Sequence, residues 1–250
     1  MTNLTLEDIA KKAGVSRSTV SRVFNHQPSV RTEVRERVWH DIEETGYQPN
    51  LAARSLASQR TNIIGLVIPR SVQAIFTDPF FPRITQGIAK ACNQHNYTLS
   101  LFLFHTQDEE RKLVPRLTRP GLMDGVIVQV GPTEDELIQQ LAATNAMPFI
   151  VAGRPVNAPN ASYVDVDNVT GAYNAVSHLI RLGYTRIATI TGPLNTATGL
   201  DRREGYENAL NERGLTVDRD LIVEGDFTEK GGFFAAQKLL KHGADAVFVA

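Results

Sequence analysis

The chain has 250 residues, with 26 Lys or Arg against 27 Asp or Glu, a formal net charge of −1 and 42% hydrophobic residues. Cys92 is the one cysteine, so an internal disulfide is excluded and a buried thiol is expected. The N-terminus has no apolar signal segment and no run approaches the ~18 apolar residues of a membrane span, so a soluble, cytoplasmic protein without membrane contact is expected. The first predicted element starts at Thr5, an N-cap with Asp8 three residues on in the position of a capping-box acid. Leu6, Ile9, Ala10 and Ala13 then form one apolar stripe at helical spacing. Gly14 supplies the left-handed turn, Val15 fills the gap, and Ser16 caps a second helix. There Val20, Val23 and Phe24 gather on one side, and Arg17, Ser18, Ser21, Arg22 and Asn25 on the other.

That second face is small, basic and rich in hydrogen-bond donors, which suits the major groove of double-stranded DNA. An arginine fork reaches guanine O6 and N7, and an amide reaches adenine N6 and N7. A third helix is predicted from Thr32 as N-cap, with Val34, Val38, Trp39 and Ile42 inward and Gly46 as its stop. Residues 9 to 40 hold seven Lys or Arg against two acids, a local excess of five that corroborates a phosphate-binding headpiece. Tyr47-Gln-Pro-Asn50 breaks the pattern. Residues 51 to 57 then form a helix too short to be stable alone, a candidate hinge that orders on contact.

From residue 62 the character changes. Apolar runs of the kind found in strands buried on both faces occur at 63–68, 99–104, 125–130, 149–152, 186–191 and 246–250. Amphipathic helices such as 84–94 and 172–182 lie between them, so βαβ units and parallel sheet are expected. Ligands in such sheets bind at the carboxyl ends of strands. Residues able to hold a small hydroxylated ligand follow the strands: Asp78, Phe80 and Phe81, then Arg154 in Gly-Arg-Pro, Asp167 with Asn168 at a lobe crossover, Arg202 in the loop after Thr191-Gly-Pro, and Phe227. Each has a plainer reading: Phe80 or Phe81 as core, Arg154 as an ion pair, Asp167 as a helix cap. No dinucleotide, phosphate-loop, zinc or nucleophile-elbow motif is found, and the six histidines, His105 and His178 among them, have no paired acid or nucleophile. Neither an enzyme nor a cofactor is expected.

Through T-L-x-D-I-A-x-x-A-G-V-S-x-x-T-V-S-R-V-x-N and G-Y-x-P-N-x-x-A-R-S-L the chain resembles the lactose repressor and galactose repressor (LacI/GalR) family of bacterial transcription regulators. Through D-P-F-F, G-R-P, V-D-x-D-N and D-R-x-x-G-Y its remainder resembles their type I periplasmic-binding-protein fold. The resemblance implies that Arg17, Ser18 and Arg22 read base edges, while Thr5, Ser16, Thr19, Ser21, Asn25 and Asn50 hold phosphates or caps. It places Ala53 and Leu56 on a hinge helix, with Leu56 as a minor-groove wedge. In the second part it implies Arg202 as the foremost effector residue, Phe227 against the ligand ring, Asp78 accepting from hydroxyls, and Thr198 in the loop 195–201. That loop lacks an extra arginine found in some members, which favours a neutral sugar over an anionic purine.

The expected architecture is an all-α helix-turn-helix headpiece at 1–48, a hinge at 49–61, and a two-lobed α/β domain at 62–250. Its lobes are expected at about 62–166 and 167–250, the second incomplete because the sequence stops inside a strand. The expected function is a sequence-specific transcription regulator, a repressor of carbohydrate utilisation. It would bind operator DNA as a homodimer and be switched by a sugar-like effector. The alternatives are a solute-binding sensor of the same fold, or a regulator answering a nucleobase.

Overall fold

The structure is a computed structural model that describes residues 4–24, 27–47, 60–68, 75, 78–104, 106–119, 121–131, 133, 136–144 and 147–250. The chain divides into two compact units, Met1–Thr61 and Asn62–Ala250. In the first, helices α1 (Leu6–Lys12), α2 (Arg17–Phe24) and α3 (Thr32–Thr45) close around Ile9, Ala13, Val20, Val23 and Val38, all buried. Full burial of an aliphatic side chain of this size contributes roughly 1.5–3 kcal/mol, so these few residues supply most of what holds a small headpiece together. Phe24 completes the core with its ring edge-on to Trp39 and Tyr47, at centroid distances of 5.4 and 6.0 Å.

The turn between α1 and α2 follows from its sequence. Gly14 has φ +64°, a left-handed conformation that Gly adopts without steric cost, and the Val15 amide returns to the Ala10 carbonyl at 3.0 Å. Ser16 Oγ accepts from the Thr19 amide at 3.2 Å and caps α2. The start of α3 corrects the expectation. Thr32 is the first helical residue, Arg31 occupies the cap position, and no side chain caps it. The loop there is held by Arg35, which donates to the Gln27 carbonyl at 3.0 Å. Gly46 ends α3 in the left-handed conformation, as expected.

The second unit contains two parallel sheets. Strands β1 (Ile63–Ile68), β2 (Thr98–Leu103), β3 (Gly125–Gln129), β4 (Phe149–Ala152) and β5 (Tyr163–Val164) form the first, in the order β2-β1-β3-β4-β5. Helices α4 (Phe80–Gln94), α5 (Gln107–Leu117) and α6 (Leu137–Thr144) connect them. The chain then enters α7 (Asn168–Arg181), β6 (Ile187–Thr191), α8 (Ala197–Glu212), β7 (Ile222–Glu224), α9 (Glu229–Leu239) and β8 (Ala246–Val249), with sheet order β7-β6-β8.

Central strands β3 and β6 are almost wholly buried, as continuous apolar runs require. Strands β2 and β8 are not, contrary to expectation: β8 alternates between half-buried and exposed residues, and β2 is half-buried with Thr98 and Leu101 exposed. Each is the terminal strand of its sheet among the described residues and has one paired neighbour. Cys92 is buried on α4. Tyr206 on α8 is fully buried, and its hydroxyl donates to the Ile187 carbonyl at 2.8 Å. Burial pushes that phenol up to about 12 and keeps it a neutral donor, with Asp218 and Glu207 adding to the shift.

Candidate functional site

The first candidate surface is the outer face of α2. Burial of Val20 and Val23 fixes the rotation of the helix, so Arg17, Ser18 and Arg22 point into solvent and Ser21 is half-buried beside them. Arg17 Nη1 lies 3.7 Å from Glu7 Oε1 on α1, with both side chains largely exposed. Such a pair contributes ~0–1 kcal/mol and is readily exchanged for a phosphate or a base. Ser16 Oγ lies 2.7 Å from Ser18 Oγ and 2.9 Å from Thr19 Oγ1, a hydroxyl cluster at the N-terminus of α2. An exposed helix N-terminus with hydroxyls and cations is suited to anions such as backbone phosphates. Thr5 closes the capping box of α1: its amide and hydroxyl donate to Asp8 Oδ2 at 2.8 and 2.7 Å, and its Oγ1 accepts from the Asp8 amide at 3.3 Å. Those bonds hold the Asp8 carboxyl below its ordinary value. Asn25, Asn50, Ala53 and Leu56 lie outside the described residues.

The second candidate site is at the carboxyl ends of the strands in the second unit. A narrow cleft is lined by Val130 and Gly131 after β3, Arg154 and Asn157 after β4, and Ala197 at the start of α8. The loops of the two sheets meet beside it, where the Thr133 amide donates to the Asn195 carbonyl at 2.7 Å. Arg154 turns its guanidinium onto Asp201 of α8 in a two-point pair, with Nη2 on Oδ1 and Nε on Oδ2 at 3.2 Å. The carboxylate raises the Arg154 guanidinium further above its ordinary value, against the opposing effect of burial.

Next on α8 is Arg202. Its Nε donates to Asn168 Oδ1 at 3.0 Å, and its guanidinium carbon lies 5.9 Å from the Phe227 ring centroid. Arg202 is therefore helical and does not lie on a loop as expected, because Thr196 starts the helix early by capping the Gly199 amide at 3.1 Å. Thr198 is half-buried in the first turn of the same helix. Phe227 holds φ +60°, a backbone conformation that costs a non-glycine residue ~1–3 kcal/mol. Its ring covers Gly192 so closely that a Cβ there would lie 2.2 Å from Phe227 Cζ, so residue 192 has to be glycine for the ring to sit where it does.

Arg154 through Asp201, Thr198, and Arg202 with Phe227 are thus all tied to the N-terminal half of α8, and of the four only Arg154 lines the cleft. Asp78, Phe80, Phe81 and Asp167 each have a local structural contact of their own. Phe81 is a core residue, packed on Leu66 and Ile68 of β1, because α4 begins at Phe80 and turns residue 81 inward. Phe80 is exposed with its ring against Phe81, and its amide donates to Asp78 Oδ1 at 2.9 Å. Asp167 is the exposed N-cap of α7, accepting from the Thr170 amide at 2.9 Å, and that bond holds its carboxyl pKa below the ordinary aspartate value. Of the two partners, Asp201 is not among the expected ligand-site residues, whereas Asn168 is expected there beside Asp167. Asp201 adjoins Arg202 in D-R-x-x-G-Y, and Asn168 closes V-D-x-D-N; both are buried, and both engage an arginine.

Comparison with known proteins agrees across both units. Residues 5–50 match the family described as bacterial regulatory proteins, lacI family. Residues 61–250 match the periplasmic binding proteins and sugar binding domain of LacI family. The HTH-type transcriptional regulator CelR of Thermobifida fusca is 38% identical over 250 residues, covering 98% of this chain and 73% of that protein. Among solved structures, a CelR–cellobiose complex superposes with a TM-score of 0.72 at 36% identity, over 99% of this chain and 74% of that one. A lac repressor dimer bound to operator and the anti-inducer ONPF superposes with a TM-score of 0.82 at 25% identity, over 100% of this chain and 74% of that one.

Proposed function

The chain belongs to the LacI family of bacterial regulatory proteins, and on that premise we propose that this DNA-binding transcription regulator is a repressor of carbohydrate utilisation relieved by a neutral sugar. The observation that carries the reading is α2, capped and packed so that Arg17, Ser18 and Arg22 are presented together on an open face. In this reading residues 1–48 form the reader, 49–61 the hinge and 62–250 the effector and dimerisation domain. A homodimer binds a pseudo-palindromic operator in the cytoplasm, with no chemistry performed on the effector. Arg17, Ser18 and Arg22 contact base edges, and Ser16, Thr19 and Ser21 contact the backbone. Arg202 and Phe227 hold the effector by hydrogen bonds and ring stacking, and the solved cellobiose complex of CelR supports a sugar as its class.

Effector and operator are then coupled reciprocally, each changing the affinity of the other by the same factor. The test is a fluorescence anisotropy titration of operator DNA with and without a panel of neutral mono- and disaccharides. A sugar that shifts the operator affinity fivefold or more, with the shift lost in Arg202→Ala while operator binding persists, is expected. A panel without effect, together with a shift produced by purine bases, would replace the sugar reading with the nucleobase one.

A further inference from the structure

We propose that Asp201 determines the class of effector: by holding the Arg154 guanidinium in a two-point pair, it withdraws the cleft's wall cation from anionic ligands and leaves the site selective for uncharged ones. This rests on the reading of the cleft between the sheets as the effector site. The planar fork that Arg154 presents to Asp201 is the arrangement that an arginine uses to grip a phosphate or carboxylate on a ligand. Here the protein's own carboxylate already occupies it, and the geometry is built in. The Asp201 side chain is 11% exposed and fixed on α8, whereas the Arg154 side chain is 39% exposed and lines the cleft.

A second acid reinforces the effect. Asp165 accepts from the backbone amide of Arg154 at 3.1 Å and from that of Val166 at 2.8 Å, near enough for its charge to add to the stabilisation of the guanidinium. Two acids therefore flank one cation at this wall. An incoming anion meets repulsion from both and has to displace a buried carboxylate to reach Arg154, which would strand that charge. Arg202 is a separate cation, with its Nε on the neutral Asn168 and its guanidinium near the Phe227 ring, and in the proposed reading it serves the ligand's hydroxyls. A hydroxylated neutral ligand meets no such penalty, because hydroxyls accept from one arginine edge without competing for the ion pair.

The experiment is a titration of the full chain with inorganic phosphate, followed by calorimetry against chloride of equal ionic strength. It is run on the wild type, Arg154→Met, Asp201→Asn and the Asp201→Asn/Arg154→Met double variant. Asp201→Asn is expected to bind phosphate roughly tenfold tighter than the wild type, since one nearby negative charge is removed while the shape is kept. The gain should vanish in the double variant, which also separates the cleft from phosphate bound at the headpiece. Wild type and Arg154→Met should be alike, and this comparison stands even if Asp201→Asn fails to fold. Phosphate binding by the wild type that Arg154→Met removes would overturn the proposal, as would a gain in Asp201→Asn that survives in the double variant, or no gain at all. Neither DNA nor sugar enters the measurement, so its failure is distinct from failure of the sugar-responsive repressor reading.

Discussion

In the proposed reading Arg22 and Arg202 carry opposite duties, and their substitutions should separate cleanly. Arg22 is exposed on α2, so Arg22→Ala removes no packing. A bidentate contact to a base is worth ~1–3 kcal/mol, which corresponds to a loss of roughly 5- to 150-fold in operator affinity and relaxed preference at one base pair. The thermal midpoint should not move, and a competition assay against scrambled DNA reads the loss of preference. Tyr206 is the contrasting case. Its hydroxyl satisfies the Ile187 carbonyl in a fully buried setting, so Tyr206→Phe leaves that acceptor unpaired at a cost of ~1–3 kcal/mol in urea unfolding, without altering DNA preference once folded. A similar distinction applies at Gly192. Gly192→Ala forces Phe227 off its seat and should weaken effector response more than stability, as followed by anisotropy and thermal melting in parallel.

At the scale of elements, the capping box of α1 makes a pH-dependent prediction. The Asp8 carboxyl is held below the ordinary aspartate value near 3.8 by the Thr5 hydroxyl and amide. A group depressed in the folded state stabilises above its unfolded value and loses that contribution as pH falls through its folded one. Protection of the first-turn amides of α1, taken relative to the intrinsic exchange rate at each pH, should therefore be full at pH 5 and decline below about pH 3.8, and Asp8→Asn should flatten that acid-side change. Unchanged protection across this range would remove Asp8 from the cap. The helices of this region were legible because caps, the left-handed Gly14 and an apolar stripe all specify the same boundaries. Where a cue stood alone it misled: Thr32 has the chemistry of a cap, yet Arg31 takes that position and Arg35 secures the loop instead. Arg202 was misplaced on a loop because Gly199, a poor helix former, obscured a helix that Thr196 starts through the Gly199 amide.

For the molecule as a whole, the periodic runs made most of the parallel strands legible, since a strand buried on both faces leaves an uninterrupted apolar signature. Strands β5 and β7 escaped because they span only two and three residues, the first exposed and the second mostly half-buried, so no periodicity accumulates. The candidate effector site was legible as residue types at strand ends, but its internal pairing was not. Arg154 with Asp201 and Arg202 with Asn168 join residues 47 and 34 positions apart, and only the folded chain brings them into register. Charge is distributed in the same modular way. Residues 9 to 40 carry an excess of five cations within a chain of net charge −1, so operator affinity should fall steeply with salt, by a slope of about 0.9 per phosphate neutralised, while effector affinity stays nearly flat. The most direct test of DNA reading through α2 is repeated selection of bound duplexes from a random library, with wild type and Arg22→Ala in parallel. Enrichment of a two-fold symmetric site by the wild type, blurred or lost at matching positions of both half-sites in the variant, is expected; no sequence enrichment, or the same site enriched equally by both proteins, would contradict it.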